Sequence, residues 1–230
     1  MCTSFVRNGK KTMVGFNLDL LGMKHRINAD SKHVFIEIWD DGNGWLPLFG
    51  VNDRGDFVGM PTCWPYDARS ERTWPEQINV LTADIDLLLQ KRSFEEIRVL
   101  AESGAICSLP ECTFQMQISD RFGNVLRHTP GQGCEYLAKP KYSVMTNFSP
   151  WKERHDEHPW SGADRYDTAV RLLDESGDDF DVDDGFEVLK AVSQQVCPTV
   201  VSIIYDAKEN AAYWCENRQW HNISKQQFGI

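Results

Sequence analysis

Met1-Cys2-Thr3-Ser4-Phe5, the first five residues of the chain, place a cysteine at position two. Cysteine is small enough to permit removal of the initiator methionine, which would leave a thiol and a free α-amine on one residue. An α-amine has a pKa of roughly 7.7–8.0, so near neutral pH it accepts the proton of the thiol or of water. The thiolate is a nucleophile, and the protonated amine can return that proton to a leaving group. Many proteins begin Met-Cys by chance, so this pattern needs support from the remaining chain.

A β-hairpin is predicted directly after this start. Residues 3–7 are typical of a short strand, Asn8-Gly9 is a strong turn signal, and the chain returns through residues 13–19. A hairpin of this length brings the Asp19 carboxylate near the N-terminus, where it could hold an ammonium group. The alternative is a solvated carboxylate at the end of a strand.

The composition predicts a soluble globular protein. The 230 residues are 41% hydrophobic and 25% charged, which is ordinary for a chain that buries a sizeable core. No linker, internal repeat or low-complexity segment interrupts the sequence, so we predict a single domain spanning residues 1–230. The formal net charge of -10 argues against a nucleic-acid-binding groove and against attachment to an anionic membrane surface.

The sequence contains no recognisable membrane span or targeting segment. No apolar run approaches the roughly 20 residues that cross a bilayer, and the N-terminus lacks the charged and apolar regions of a signal peptide. The seven cysteines form neither a Cys-x-x-Cys pair nor a disulfide framework, which favours free thiols in a reducing compartment. We therefore predict a cytoplasmic protein, with monomer and homo-oligomer both left open.

The order of predicted elements indicates an α+β fold. Strand-like segments follow one another as hairpins, and a last strand is predicted at 221–228. Helical periodicity occurs in two pairs, at 78–88 and 94–103 and again at 164–173 and 185–196, with Ser93 as an N-cap and Gly104 as a terminator. Successive hairpins give antiparallel sheets, and paired helices must cover a sheet face. The expected architecture is helices layered on antiparallel sheet.

A long loop rich in proline, tryptophan and charge is predicted at 61–75. Long loops in compact domains are often lids or binding loops. Its aromatic residues Trp64, Tyr66 and Trp74 could line an apolar substrate pocket. Aromatic side chains that plug the core are at least as common.

Two motifs suggest metal sites but fail on closer inspection. The acidic run at 178–185 resembles a calcium loop, but Asp184 stands where the loop needs its glycine and Lys190 where it needs a glutamate. A solvated acidic turn before a helix is the better interpretation. His155 and His158 could meet a metal from one helical turn, but Pro159 follows and no third ligand is evident. A charged loop is favoured there, and we predict no metal.

Several segments, in order along the whole chain, resemble the choloylglycine hydrolase and penicillin V acylase family. This family belongs to the N-terminal nucleophile (Ntn) hydrolases and to the linear amide C–N hydrolase superfamily. The residues Thr146-Asn147-Phe148-Ser149-Pro150 are similar to its Thr-Asn-x-Pro signature. The other similar segments are 1–5, 17–19, 50–55, 118–123, 161–165 and 200–217. Each segment alone is weak evidence for the resemblance, but their occurrence in the same order as in the family is fairly specific.

The resemblance implies a four-layer αββα sandwich that cleaves linear amide bonds without a cofactor. Carried over by position, Cys2 would be the nucleophile and, through its amine, the general base. Asp19 would hold that amine, and Asn147 would donate a hydrogen bond to the oxyanion. Arg165 would supply positive charge that favours the thiolate. An oxyanion needs preorganised donors, and a guanidinium keeps its charge when partly buried.

The sequence also departs from the family pattern. Phe16 occupies the position where the family usually has an arginine, three residues before the aspartate. The second oxyanion donor would fall near Pro61 or Thr62, and a proline has no N–H. We predict that the substrate pocket includes Phe16, Thr62, Trp64 and Tyr66. The chain is shorter than typical bile-salt hydrolases, which disfavours bile salts as substrates.

These observations predict an N-terminal cysteine amidohydrolase that cleaves a small linear N-acyl amide with an apolar acyl group through a thioester. An acyltransferase, in which an amine replaces water as acceptor, is one alternative. A catalytically silent relative that binds a small acyl ligand is another, and Phe16 is consistent with it.

Overall fold

The computed structural model describes residues 1–65, 75–110, 112–158 and 160–229. Its four helices are α1 (Val80–Leu88), α2 (Phe94–Glu102), α3 (Ala163–Glu175) and α4 (Val182–Ala191). Its strands are β1 (Cys2–Asn8), β2 (Thr12–Asp19), β3 (His25–Asp30), β4 (His33–Asp40), β5 (Gly44–Asn52), β6 (Phe57–Gly59), β7 (Ile78–Asn79), β8 (Ile106–Cys107), β9 (Met116–Ser119), β10 (Val125–Thr129), β11 (Gly133–Leu137), β12 (Tyr142–Met145), β13 (Thr199–Asp206), β14 (Ala211–Glu216) and β15 (Ser224–Gln227).

Two antiparallel sheets form the centre of the molecule. The N-terminal sheet has the strand order β12-β1-β2-β13-β14-β15, and the second sheet has the order β11-β10-β9-β6-β5-β4-β3. The predicted first hairpin is confirmed, because every residue of β1 pairs with a residue of β2 across the turn after Asn8. Both strands are fully buried, so the start of the chain lies inside the fold.

Helices cover the outer face of each sheet. α3 and α4 pack on β1, β2, β12 and β13 of the N-terminal sheet, and α1 and α2 pack on β5, β6 and β11 of the second sheet. A large hydrophobic cluster joins apolar side chains of both sheets, for example Val14 and Phe16 with Val51 and Ile118. The layers therefore run helix, sheet, sheet, helix, which confirms the predicted αββα sandwich.

The capping signals in the sequence were correct. Ser93 caps α2 in a capping box with Glu96. The acidic run that resembles a calcium loop instead starts α4, where the Asp181 side chain accepts hydrogen bonds from two backbone N–H groups and Asp184 completes the box. Carboxylates at a helix N-terminus are favoured by the helix dipole. Because Asp181 is the cap, α4 begins three residues earlier than the predicted position 185.

α1 carries one buried carboxyl group, that of Asp84. The Asp84 side chain is fully buried, and neither of its oxygens has a hydrogen-bond partner among the residues that the structure describes. Burial raises the pKa of Asp84 well above its usual value, because an isolated charge is costly in an apolar surrounding. The folded state therefore holds this proton more tightly than the unfolded chain does.

We expect the Asp84→Asn variant to remove part of the pH dependence of stability. Above about pH 4 the unfolded chain ionises Asp84 while the folded protein keeps the proton, so the wild type loses up to about 1.4 kcal/mol of unfolding free energy per pH unit from this group. Asparagine has a similar shape and does not titrate. Urea denaturation at pH 4.5 and pH 8 should show a growing advantage of the variant at the higher pH. Equal pH profiles for the two proteins would contradict this assignment.

Candidate active site

The four residues predicted to be catalytic lie together at one end of the N-terminal sheet. Cys2 is the first residue of β1, Asp19 the last of β2, Asn147 follows β12 by two residues, and Arg165 lies in the first turn of α3. β1 runs antiparallel between β2 and β12. The start of β1 therefore meets the end of β2 and the exit of β12, which is why residues distant in sequence converge here.

The two faces of β1 point into different layers. Cys2 belongs to the hydrophobic cluster between the two sheets, and Ser4 accepts a hydrogen bond from Gln117 of the second sheet. Thr3 points the opposite way and bonds to Arg165 of α3. This alternation follows from the pleat of a strand. It places the Cys2 thiol between the sheets and the cationic side chain behind the strand.

Arg165 links the other site residues. Its guanidinium donates to the Cys2 carbonyl oxygen at 2.7 Å, to Thr3 Oγ1 at 2.8 Å and to Asn147 Oδ1 at 2.7 Å. It also lies 3.6 Å from Asp19 Oδ2. The side chain is buried, and its planar fork allows several directed bonds at once. Arg165 thus fixes the start of β1 and brings positive charge beside Cys2.

A glycine makes room for this arginine. Gly162 precedes α3 with a φ of +70°, a left-handed conformation that favours glycine. A Cβ at this position would come 2.3 Å from Arg165 Nη2. The Ser161-Gly162-Ala163-Asp164-Arg165 segment therefore works as a unit, since the glycine permits the arginine to fold back against the strand.

Asn147 is held by hydrogen bonds at both ends of its amide. Oδ1 accepts from the Cys2 backbone N–H at 3.1 Å and from Arg165. Nδ2 donates to the Thr62 carbonyl oxygen at 2.7 Å and to Thr62 Oγ1 at 3.1 Å. The Thr62 N–H itself makes no hydrogen bond to any described residue. An asparagine N–H and a backbone N–H therefore lie close to one another, and Thr62, unlike Pro61, has a proton to donate.

The Asp19 carboxylate is buried and fully engaged. Thr199 Oγ1 donates to Oδ1 at 2.6 Å, and Gln194 Nε2 donates to Oδ2. Burial raises the pKa of Asp19 to about 6, while Arg165, Thr199, the N-terminal ammonium and Gln194 act in the opposite direction. Sequence analysis did not identify Gln194 or Thr199, because they belong to no recognisable motif and lie 175 and 180 residues from Asp19.

While Met1 is attached to Cys2, the chemistry of the site differs from that of a chain that begins at Cys2. The Met1 ammonium donates to the Asp19 carbonyl oxygen at 3.0 Å and lies 3.9 Å from Cys197 Sγ. The nitrogen of Cys2 is therefore a peptide N–H and not an amine. Cys2 is 4% exposed. Burial raises the pKa of its thiol to about 11, with the N-terminal ammonium opposing this effect and the Asp19 carboxylate adding to it. At neutral pH the Cys2 thiol of this unprocessed chain stays protonated.

The predicted pocket residues occupy different environments. Phe16 is fully buried in the core and stacks on Phe49 with ring centroids 5.0 Å apart. Thr62 lies beside Asn147, as described above. Trp64 lines a cleft of about 130 Å³ and donates its backbone N–H to the Asn147 carbonyl oxygen. Tyr66, like Trp74, lies outside the described residues. The structure therefore places Thr62 and Trp64 next to the site and Phe16 between the sheets.

The two histidines pack around Trp64. The His158 ring stacks on the indole with centroids 3.6 Å apart, and the His155 ring meets it edge-on at 5.5 Å. No group of three or more histidine, cysteine or acidic side chains suited to a metal ion occurs among the described residues. Within the same residues, no helix is long and apolar enough to cross a membrane.

Solved structures share this architecture. A variant of conjugated bile acid hydrolase from Clostridium perfringens superposes with a TM-score of 0.68, at 13% identity, covering 99% of this chain and 92% of that one. Penicillin V acylase from Agrobacterium tumefaciens gives 0.64 at 14% identity, with 98% and 86% covered. The N-acylethanolamine-hydrolyzing acid amidase ortholog of Caenorhabditis elegans gives 0.52 at 18% identity, with 90% and 93% covered.

The chain has the Ntn hydrolase fold. These likenesses extend along nearly the whole chain, so the resemblance detected in the sequence is confirmed for the fold. At identities of 13–18% they establish the fold and leave the activity to be argued from the site. No protein-family model and no curated protein sequence matches the chain.

Proposed function

We propose that this protein is an N-terminal cysteine amidohydrolase that cleaves a small linear N-acyl amide. The observation that supports it most is the network in which Arg165 and Asn147 both bond to the backbone of Cys2, within an Ntn hydrolase fold. We propose that the whole chain, residues 1–230, forms a single catalytic domain. The four predicted residues converge, although they come from separate elements, as a common site requires.

Removal of Met1 is the first step of the proposed mechanism. This step turns the Cys2 nitrogen into an amine. The peptide nitrogen of Cys2 already donates a hydrogen bond to Asn147 Oδ1 at 3.1 Å, and the amine can keep that bond. The nearby carboxylate of Asp19 favours the ammonium form that results from proton transfer. The amine takes the proton of the thiol, and the thiolate becomes the nucleophile.

The reaction then follows from the positions of these groups. The Cys2 sulfur bonds to the substrate carbonyl carbon, and the carbonyl oxygen becomes an oxyanion. When the oxyanion collapses, the C–N bond breaks, the ammonium of Cys2 returns a proton to the leaving amine, and a thioester remains. Water, deprotonated by the same amine, attacks the thioester, releases the carboxylic acid and restores the thiol.

Two N–H groups are suited to stabilise the oxyanion. Asn147 Nδ2 donates to Thr62 in the absence of substrate, and the Thr62 backbone N–H is free among the described residues. A substrate oxygen that entered between them would replace the Thr62 carbonyl as acceptor for Asn147. Losing one such donor typically lowers turnover by about 10²–10³-fold.

We base the proposed substrate class on the reactions named for the proteins of similar fold. One is a hydrolase of conjugated bile acids, one an acylase of penicillin V, and one an amidase of N-acylethanolamines. For this chain we propose a small N-acyl amide with an apolar acyl group, and an acyltransferase of the same fold stays the alternative within enzymes. A silent acyl-binding relative is favoured by one observation, namely the buried Phe16 in place of an arginine.

Intact mass combined with thiol alkylation tests the proposal. We expect the purified chain to lack Met1 and to show one rapid alkylation by iodoacetamide at neutral pH, mapping to Cys2 and faster than at the other six cysteines. A matched control is the same chain with one lysine inserted between Met1 and Cys2, which blocks removal of the methionine. In that control the alkylation rate at Cys2 should fall to that of the other buried thiols.

An assay with a panel of N-acyl amides separates the alternatives. The processed chain should hydrolyse at least one of them, and the control chain none. Added amines that divert the acyl group from water would favour the acyltransferase. A retained methionine with an unreactive Cys2 would overturn the hydrolase proposal and favour the silent relative.

A further inference from the structure

A groove with four cationic side chains lies at one end of the sandwich. It has a volume of about 890 Å³, within the range typical of ligand pockets. Each cation comes from a different hairpin turn, between β3 and β4, β5 and β6, β9 and β10, and β13 and β14. The four residues are Lys32, Arg54, Arg121 and Lys208. Their convergence is a property of the fold, since nothing joins them in the sequence.

These cations form no ion pair in the described part of the chain, although the charge of Arg54 acts to lower the pKa of the nearby Asp56 carboxyl group. All four side chains are exposed, and none forms an ion pair with any described residue, whereas most other lysines and arginines of this acidic chain do. Outside the groove, the exposed or half-buried cations without an ion pair in the described ranges are Lys24, Lys139, Lys152 and Arg218. In a protein with a net charge of -10, half of the exposed or half-buried cations without an ion pair in the described ranges thus line one concavity.

The two carboxylates that line the groove have partners other than the four cations. Asp53 accepts a hydrogen bond from Gln90 Nε2. Glu209 accepts from Tyr213 Oη and pairs with Lys225 Nζ at 3.0 Å. Neither carboxylate forms an ion pair with any of the four cations. The groove therefore keeps a net positive character, and an anion would complete its charge balance.

The floor of the groove is fixed by buried polar contacts. Asn210 is buried, and its Nδ2 donates to the carbonyl oxygens of Asp53 and Gly229 at 3.2 Å each. Asp206 holds the same turn through the backbone N–H of Lys208 and an ion pair with Lys11. A preformed site loses less entropy when a ligand binds than a mobile one does.

The groove is separate from the candidate active site. Cys2 pairs with Leu18 at one end of β2, whereas Asp206, beside the groove, pairs with Met13 near the other end. Met13 and Asp19 are six steps apart along an extended strand, which corresponds to about 20 Å. A ligand in the groove would not contact the catalytic groups.

We propose that this groove binds a soluble small molecule that carries several phosphate groups. Guanidinium forks match phosphate oxygens in pairs, and lysine ammonium groups add point charges. Four cations spread around one concavity suit a ligand with several anionic groups better than a single carboxylate. The surrounding negative charge of the protein disfavours non-specific attraction of such a ligand.

Isothermal titration calorimetry with tripolyphosphate tests this site. The wild type should bind saturably, and binding should weaken as ionic strength rises. The Arg54→Ser/Arg121→Ser variant should bind at least about 100-fold more weakly, because it removes two charged hydrogen bonds and the loss of each typically lowers affinity about tenfold or more. Both positions are exposed turn residues, so the fold should survive, which circular dichroism can verify.

The matched control is Lys24→Ser/Lys139→Ser, which removes the same charge outside the groove. Its affinity should stay within about twofold of the wild type. Equal weakening in both double variants, or no saturable binding by the wild type, would overturn the proposal. If vesicles containing phosphatidylinositol bisphosphate bind the protein while tripolyphosphate does not, the ligand is a lipid headgroup, and the soluble-ligand proposal is wrong.

Discussion

The Cys2→Ala variant is expected to lose amide hydrolysis while keeping its fold. The proposed mechanism forms its only covalent intermediate on the Cys2 sulfur, so no other group can replace it. Removal of a catalytic nucleophile commonly lowers kcat by a factor on the order of 10⁴–10⁶. The sulfur is one small buried atom at the start of β1, so the stability cost should be about 1 kcal/mol. Steady-state hydrolysis of an active N-acyl amide and thermal unfolding measure the two effects.

A second cysteine variant provides the control. Cys215 is also buried but lies in the cluster under α3 and α4, away from the site. The Cys215→Ala variant should therefore show a similar small loss of stability and nearly full activity. Full activity in Cys2→Ala would refute the proposed mechanism, and an equal loss in both variants would point to a folding defect instead of lost chemistry.

The Arg165→Met variant is expected to be strongly destabilised. Methionine fills similar space but leaves the Asp19 carboxylate without its cation and removes the hydrogen bonds to Cys2 O and Asn147 Oδ1. Breaking a buried ion pair by removing one partner typically costs about 3–5 kcal/mol. Urea denaturation at pH 8 measures this loss, and activity should fall with it because the start of β1 is no longer fixed.

The loss in Arg165→Met should shrink at low pH. The pKa of Asp19 is already raised to about 6 by burial, against the opposing effect of Arg165, and without the arginine it should rise further. At pH 5 the variant's Asp19 is then protonated in the folded state, so no uncompensated charge remains there. A destabilisation that is equal at pH 5 and pH 8 would contradict the importance of this charge pair.

An exposed arginine on the same helix serves as the reference. Arg171 pairs with Glu175 at the surface, at 3.4 Å. Surface pairs contribute about 0–1 kcal/mol, so Arg171→Met should change the unfolding free energy little at either pH. A similar loss of unfolding free energy in both variants would mean that α3 tolerates neither substitution, whether the arginine is buried or exposed.

The sequence predicted the features that depend on local signals. The Asn8-Gly9 turn, the Ser93 capping box and the apolar periodicity of α1 were recognisable, because turn and cap chemistry involves residues close in the chain. Where the predictions missed, tertiary contacts were the reason. Strands β3 and β11 were not predicted, and both lie at the edges of the second sheet. Edge strands are half-exposed, so they carry little of the apolar pattern that marks a buried strand.

The same limit applies to the ends of elements. The predicted strand 221–228 is shorter in the structure, Ser224–Gln227, because its length is set by pairing with β14. α4 begins at Val182 because the Asp181 side chain can reach the first N–H groups. Backbone pairing and cap geometry, rather than composition, decide such boundaries.

For the candidate site, the sequence by itself determined which residue types are available and where the first hairpin turns. Cys2, Asp19, Asn147 and Arg165 could be proposed from order and resemblance alone. Only the tertiary structure decided that they meet, that Arg165 bridges Cys2, Thr3 and Asn147, and that Gln194 and Thr199 hold Asp19. These contacts join segments up to 180 residues apart, and such distances close only when strands pair and helices pack, so no local pattern in the sequence records them.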